Sequence, residues 1–258
     1  MNNNPIGVFD SGFGGLSVWR VLRRRLANES LIYLGDGKNC PYGERSREDI
    51  CRFTDEAVQR LLDCGCKLVV VACNTATAMA IDYIRARYPQ IPFVGLEPAV
   101  KPACLTTKSG VVGVLATARS LEGDLFRKTA ARYADKVRII KAVGEGFVEA
   151  VENDQENNPE TESLVRNVLL PMVEQGADRI VLGCTHYPFL RPVMERITDG
   201  LGVEIIDSGE AVARRTAQLL DDNGLCADKL HLPEYLFTTF GGEDYRLRLE
   251  CKAFAEDI

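Results

Sequence analysis

The feature that most constrains the fold is a series of short apolar runs with no polar residue alternating through them. "KLVVVA" (67–72) is the clearest case, and "PIGVF" (5–9), "LIYLG" (31–35), "GVVGVLA" (110–116) and "RIVLG" (179–183) share its character. A strand covered on one face alternates apolar and polar residues, whereas a parallel strand with helices on both faces is apolar throughout. "IPFVG" (91–95), "VRIIKAV" (137–143) and "VEIID" (203–207) read as further strands. Between the runs the apolar residues recur at helical spacing. After Ser46, with Asp49 three positions on as in an approximate capping box, they fall at Ile50, Phe53, Ala57, Val58, Leu61 and Leu62. Further helices are expected over about 15–27, 75–88, 121–133, 160–175, 188–199 and 209–222, with a short one ending near Val151 and a mixed tail. Strands alternating with helices give parallel sheets in an α/β fold.

The alternation restarts midway. "IGVFDS" (6–11) overlays "VGVLAT" (112–117) at an offset of 106, "KLVVVACNTAT" (67–77) overlays "DRIVLGCTHYP" (178–188) at 111, and "EPAVKPA" (97–103) overlays "GEAVARR" (209–215) at 112. Three segments matching in order, with small drifts that loop insertions produce, favour an internal duplication over chance likeness between buried strand–helix units. The expected architecture is α/β, with two similar parallel-sheet domains related by pseudo-symmetry and the active site in the cleft between them. A chain of 258 residues, 46% hydrophobic, is long enough to bury such cores.

Composition narrows the function. Net charge is −6 and basic residues are scattered, which disfavours a nucleic-acid partner. The densest basic run, Arg23, Arg24 and Arg25, follows the apolar pattern Leu16, Trp19, Val21, Leu22, Leu26 and reads as a solvated helix face. No stretch reaches the apolar length of a membrane span and the N-terminus lacks an export pattern, so no membrane partner and a cytoplasmic location are expected. Nine cysteines, an odd number, argue against a disulfide framework in such a chain. The close pair Cys64 and Cys66 is one residue short of a redox CxxC and has no second pair for zinc, so no metal site is expected and Gly65 reads as a helix stop.

Two of the nine stand apart. Cys73 and Cys184 each fall where a buried strand ends and a helix is expected to begin, the edge at which open α/β sheets bind ligands. A helix N-terminus there lowers a thiol pKa from about 8.5 toward neutrality. A single such cysteine reads most simply as core packing; the matched pair favours chemistry, and the other seven are assigned to packing. Two acid–base groups facing one carbon can remove a proton from one side and return it on the other, inverting the configuration without a cofactor. Asp10 and Ser11 offer polar groups at the first strand tip, and Gly12, Gly14 and Gly15 would let backbone N–H groups approach a small anion. The run fails as a dinucleotide fingerprint because Ser17 replaces its third glycine. Tyr42 and the Gly43 backbone fall on an expected exposed loop, which reads equally well as a plain Pro–Gly turn. Asn74, Thr75 and Thr185 can anchor a carboxylate or an amine. His186 is either structural or a proton partner for Cys184.

With these residues in place, "GVFDSGFGGL", "PYGERS", "ACNTATA" and "GCTHYPFL" resemble the four signature segments of bacterial glutamate racemases, within the cofactor-independent aspartate/glutamate racemase superfamily. The likeness runs in order from about residue 5 to 220, and the tail "YLFTTFGGEDYRLRLECKAF" is similar to the usual family ending. The resemblance implies interconversion of L- and D-glutamate, supplying D-glutamate for peptidoglycan. It implies that Cys73 exchanges the proton on the D side with help from Asp10, and Cys184 on the L side with help from His186. It implies substrate binding by Asp10, Ser11, Tyr42, Gly43, Asn74, Thr75, Thr185 and His186, with Pro41 and Thr117 as secondary candidates. Glu152 falls where the family carries a glutamate that helps in acid–base work, although Gly144 to Gly146 stand where the family usually has a Cys–Pro pair. The resemblance further implies one domain from residues 1–97 with 208–258, a second from 98–207, and a homodimer. Competing readings are a sister racemase acting on aspartate or another amino acid, a thiol redox or acyl-transfer enzyme, and a non-catalytic two-lobed binder.

Overall fold

The apolar runs of the first part fold as strands, in the order β1 (Ile6–Asp10), α1 (Leu16–Arg25), β2 (Leu31–Gly35), α2 (Arg47–Asp63), β3 (Leu68–Val71), α3 (Asn74–Arg87) and β4 (Phe93–Gly95). The computed structural model describes residues 1–255, the Leu125 side chain excepted. Strands β1, β2 and β3 are buried along their whole length, as their unbroken apolar character requires. Both ends of α2 are encoded locally. The Ser46 hydroxyl accepts the Asp49 N–H at 3.1 Å and donates to the Asp49 carboxylate at 2.8 Å. At the other end Gly65 takes φ +79°, and the N–H groups of Gly65 and Cys66 reach back to the carbonyls of Leu62 and Leu61 at 2.8 and 3.1 Å. That pair of bonds is a left-handed glycine cap.

The chain continues through α4 (Val100–Thr106), β5 (Val111–Ala116), α5 (Ala118–Glu122), α6 (Asp124–Tyr133), β6 (Arg138–Val143), α7 (Phe147–Glu152), α8 (Pro159–Glu174), β7 (Arg179–Gly183), α9 (Arg191–Thr198) and β8 (Glu204–Ile206). It ends in α10 (Gly209–Asp222), β9 (Tyr235–Thr239) and α11 (Glu243–Phe254). Three expectations need correction. The helix over 121–133 is two helices, because Gly123 is extended at φ −61°, ψ 137°. The helix over 188–199 opens as a 3₁₀ turn, Tyr187–Leu190, before α9; Pro192 cannot donate the N–H bond that a continuous α-helix needs there. The mixed tail contains a parallel strand and a twelve-residue helix.

Two units result. One comprises Met1–Leu96 together with the chain from Gly209 onward, and the other Glu97–Ser208. The first holds a parallel sheet in the order β4-β3-β1-β2-β9, the second a parallel sheet in the order β6-β5-β7-β8. Reversed, the second order is β8-β7-β5-β6, the counterpart of β4-β3-β1-β2, so the duplicated sequence is matched by a duplicated topology. Strand β9 extends the first sheet beside β2. Each unit takes the helix that follows the other's last duplicated strand: α4 packs on β5 and β7, and α10 on α1 and β4.

The two central strands of the second sheet, β5 and β7, are covered on both faces, whereas the edge strand β6 is partly exposed. Leu115, Ile180 and Leu182 join one apolar cluster, while Val112, Val114, Ala116 and Val181 join another. The basic run is more than a solvated face: Arg24 and Arg25 pair with Glu210 of α10 at 2.9 and 2.5 Å, and Arg23 lies 4.8 Å over the Phe254 ring of α11. Packing is also not the role of all seven remaining cysteines, since Cys64, Cys226 and Cys251 are exposed. Among the described residues no helix is long and apolar enough to cross a membrane.

Candidate active site

In the first unit, Asp10 is the last residue of β1 and is fully buried, its Oδ1 accepting the Gly12 N–H at 2.9 Å. The β1–β3 register sets Phe9 beside Val71, and the Ala72 N–H donates to the Phe9 carbonyl at 2.7 Å. Ser11 and Cys73 follow in step. Cys73 caps α3: its sulfur accepts the Ala76 N–H at 3.4 Å, and its thiol donates to Ser11 Oγ at 3.6 Å. Asn74 and Thr75 open the same helix and are buried. The Asn74 amide nitrogen has no hydrogen-bond partner among the described residues. A buried donor left unmade costs about 1–3 kcal/mol, so this one is suited to a ligand acceptor.

The glycine loop packs more tightly than an anion cradle. The Gly12 N–H is engaged by Asp10, and the Gly12 carbonyl accepts the Tyr33 hydroxyl at 2.7 Å. A Cβ on Gly15 would lie 2.5 Å from the Asp10 Cβ and 2.8 Å from the Tyr33 hydroxyl. Gly15 therefore admits the Asp10 side chain.

The loop after β2 corrects another expectation. Tyr42 is not on an exposed loop but buried, in a 3₁₀ turn over Tyr42–Glu44, with Pro41 extended before it and Gly43 half-buried after it. Its hydroxyl donates to Asp36 Oδ2 at 2.7 Å. Burial, then the Asp36 charge and hydrogen bond, then the nearby Cys73 and Asp10, push this hydroxyl far above the usual tyrosine range, so it remains a donor. Asp36 also accepts the Asn39 amide at 2.9 and 3.1 Å. No sequence motif marks Asp36. Its signal was its position: it follows the last residue of β2, at the edge where Asp10 ends β1.

In the second unit, Ala116 lies beside Gly183, so Thr117 and Cys184 leave their strands in step, as Ser11 and Cys73 do. The Thr117 hydroxyl caps α5, accepting the Ser120 N–H at 3.2 Å. Cys184 Sγ lies 3.8 Å from His186 Nδ1, and His186 Nε2 lies 2.7 Å from Glu152 Oε1. Cys184, Thr185 and His186 are all buried. The carboxylate assigns the proton of a neutral ring to Nε2 and leaves the Nδ1 lone pair toward the thiol. Glu152 ends α7, whose start is set by Gly146 at φ +77°. Before it, the Gly144 carbonyl accepts the Tyr187 hydroxyl at 3.4 Å. The glycine bend thus begins the helix whose last residue, Glu152, meets His186.

The family profile for Asp/Glu/hydantoin racemases matches residues 6–216. The chain belongs to this racemase family. A curated relative, the glutamate racemase of Roseiflexus sp. (strain RS-1), is 48% identical over 221 residues, covering 86% of this chain and 81% of that protein. The crystal structure of a Francisella tularensis glutamate racemase in complex with D-glutamate has a TM-score of 0.84 at 28% identity, covering 100% of this chain and 96% of that one. That of the Escherichia coli glutamate racemase in complex with L-glutamate and the activator UDP-MurNAc-Ala has a TM-score of 0.82 at 31% identity, covering 96% and 95%. Within this racemase family, the first unit gathers Asp10, Ser11, Tyr42, Cys73, Asn74 and Thr75, and the second Thr117, Glu152, Cys184, Thr185 and His186.

Proposed function

We propose that the chain racemises glutamate with two thiols, one taking the proton from one face of the substrate α-carbon and the other delivering its own proton to the opposite face. The observation that carries this is the matched strand tip: in each unit a buried cysteine follows a central strand, with a hydroxyl residue in step on the neighbouring strand. From L-glutamate, the Cys184 thiol first passes its proton to His186 Nδ1, and Glu152 stabilises the imidazolium. The thiolate then takes the α-proton, and the Cys73 thiol delivers its own proton to the opposite face. The reverse reaction exchanges the roles, with Asp10 assisting Cys73. The proton count is conserved, and no cofactor enters this reading. The partnerless Asn74 amide, with Ser11, Thr75 and Thr185, would hold the substrate carboxylates and amine. Pro41, Tyr42 and Gly43 of the first unit and Thr117 of the second would border the substrate.

The names of the relatives, two of them crystallised with D- and L-glutamate, support glutamate over aspartate as substrate. The same reading makes the protein a cytoplasmic homodimer that supplies D-glutamate for peptidoglycan. The test is solvent exchange. In D2O, pure L-glutamate should gain deuterium at the α-carbon as optical rotation decays. Exchange with aspartate but not glutamate would move the substrate to the sister enzyme; no exchange with any amino acid would leave a binder. Cys73→Ala and Cys184→Ala should each abolish turnover, and near-native racemisation by either variant would rule out the two-thiol mechanism.

A further inference from the structure

We infer that Tyr245, on the C-terminal helix α11, is a positioning residue for this reaction, its ring holding the loop after Asp10 and the loop after Asp36 in place together. The inference rests on the reading of Asp10, Ser11, Tyr42 and Gly43 as substrate-site residues, and it adds a residue that this reading does not use. The Tyr245 ring stacks on Phe13, with centroids 4.6 Å apart and planes within 5°. Phe13 is fully buried and sits between Gly12 and Gly14, in the loop that Asp10 begins. The same ring occupies the space beside Gly37, where a Cβ would lie 2.6 Å from Tyr245 Cε1 and Cζ. Gly37 adjoins Asp36, whose carboxylate holds Tyr42 and Asn39. One ring, distant in sequence, is therefore wedged against both loops.

The rest of that helix face reinforces the wedge. The Arg248 guanidinium lies 4.8 Å and the Lys252 ammonium 5.6 Å from the Phe13 ring centre. Leu249 closes on Gly35 at the end of β2, 3.2 Å from where a Cβ would stand. Positions 245, 248, 249 and 252 share one helical face. Glycine-rich loops have little side-chain packing of their own to select one conformation. Proton transfer needs its groups placed within about 0.5 Å, and a displacement of about 1 Å costs on the order of 100-fold in rate. A planar ring set against both loops from outside adds a constraint that the bonds within each loop do not supply, because it couples one loop to the other.

The experiment compares three variants of the full chain. Tyr245→Ala should lower kcat/KM about 10- to 100-fold, with a rise in KM as well as a fall in kcat. Tyr245→Phe keeps the ring and should stay within about threefold of the unaltered protein. Phe254→Ala loosens the same helix where it packs on Trp19 and Phe237 but leaves the Tyr245 ring against Phe13 and Gly37, and should leave kcat/KM near native. Amide hydrogen exchange reads the positioning independently of substrate: segments 10–15 and 36–43 should exchange about tenfold faster in Tyr245→Ala and not in Phe254→Ala. Unchanged loop exchange in Tyr245→Ala, or equal losses in Tyr245→Ala and Phe254→Ala, would reduce Tyr245 to a helix-docking contact. Loop exchange that responds as expected, in a protein that turns over no amino acid, would overturn the racemase reading and the role in that reaction, while showing that Tyr245 does hold the two loops.

Discussion

At the scale of single residues, the two thiols differ in what stands beside them. Cys73 has a helix N–H and the Ser11 hydroxyl, both local to the strand tips. Cys184 is followed by a 3₁₀ turn and has an imidazole held by a carboxylate. His186 and Glu152 should therefore act as one unit. Glu152→Gln removes the carboxylate that stabilises the imidazolium, and kcat/KM should fall about 10- to 100-fold. Because the equilibrium constant of a racemisation is one, the fall should be equal in the L-to-D and D-to-L directions. Adding His186→Asn to Glu152→Gln should cost far less than the sum of the separate losses. Additive losses in steady-state assays of the four proteins would mean that Glu152 acts apart from His186.

At the scale of elements, helix ends in this chain are decided by a few residues, and those ends position the site or leave it alone. Ser46 satisfies the first turn of α2, which packs on β1 and α3 but carries none of the proposed catalytic groups. Ser46→Ala should cost about 1 kcal/mol of stability, lowering the melting temperature by about 2–4 °C for a protein of this size. Calorimetry checks the shift, and kcat should not change. The start of α3 is different because its cap is Cys73 itself. One residue there follows the strand and begins the helix, its sulfur accepting the Ala76 N–H. The cap of a helix and a proposed proton carrier are the same atom.

At the scale of the molecule, the first unit is assembled from chain segments far apart in sequence, and a buried ion pair joins them. Lys67, before β3, and Glu29, before β2, meet at 2.6 Å with side chains only 1% and 7% exposed. Lys67 also donates to the Asn2 carbonyl, and Glu29 accepts the Ala227 N–H at 2.8 Å. The N-terminal arm and the segment after α10 are thereby tied to the start of the sheet. Lys67→Met leaves the Glu29 carboxylate buried without its cation and should cost about 3–5 kcal/mol. Lys67→Met with Glu29→Gln keeps an acceptor for Ala227 and removes both charges, so it should recover most of that loss. Denaturant midpoints of the three proteins decide it: a double variant as unstable as the single would show that the pair itself, not the stranded charge, holds the segments.

What the sequence determined by itself was local or repeated. Unbroken apolar runs such as Leu68–Val71 demanded a parallel sheet covered on both faces, and the recurrence of strand, cysteine and turn at Cys73 and Cys184 placed both thiols at strand tips. Those signals lie in neighbouring residues, where strand and helix periodicities are written. Contacts between residues far apart in the chain were set by tertiary structure alone. The burial of Tyr42 needed Asp36 to receive its hydroxyl, the contact of Glu152 with His186 spans 34 residues, and β9 pairs with the edge of β2 from the far end of the chain. Tyr245 reaches Phe13 and Gly37 only through the docking of α11. None of these contacts has a sequence period, because each depends on which surfaces meet when elements pack, and a chain read residue by residue carries no record of that meeting.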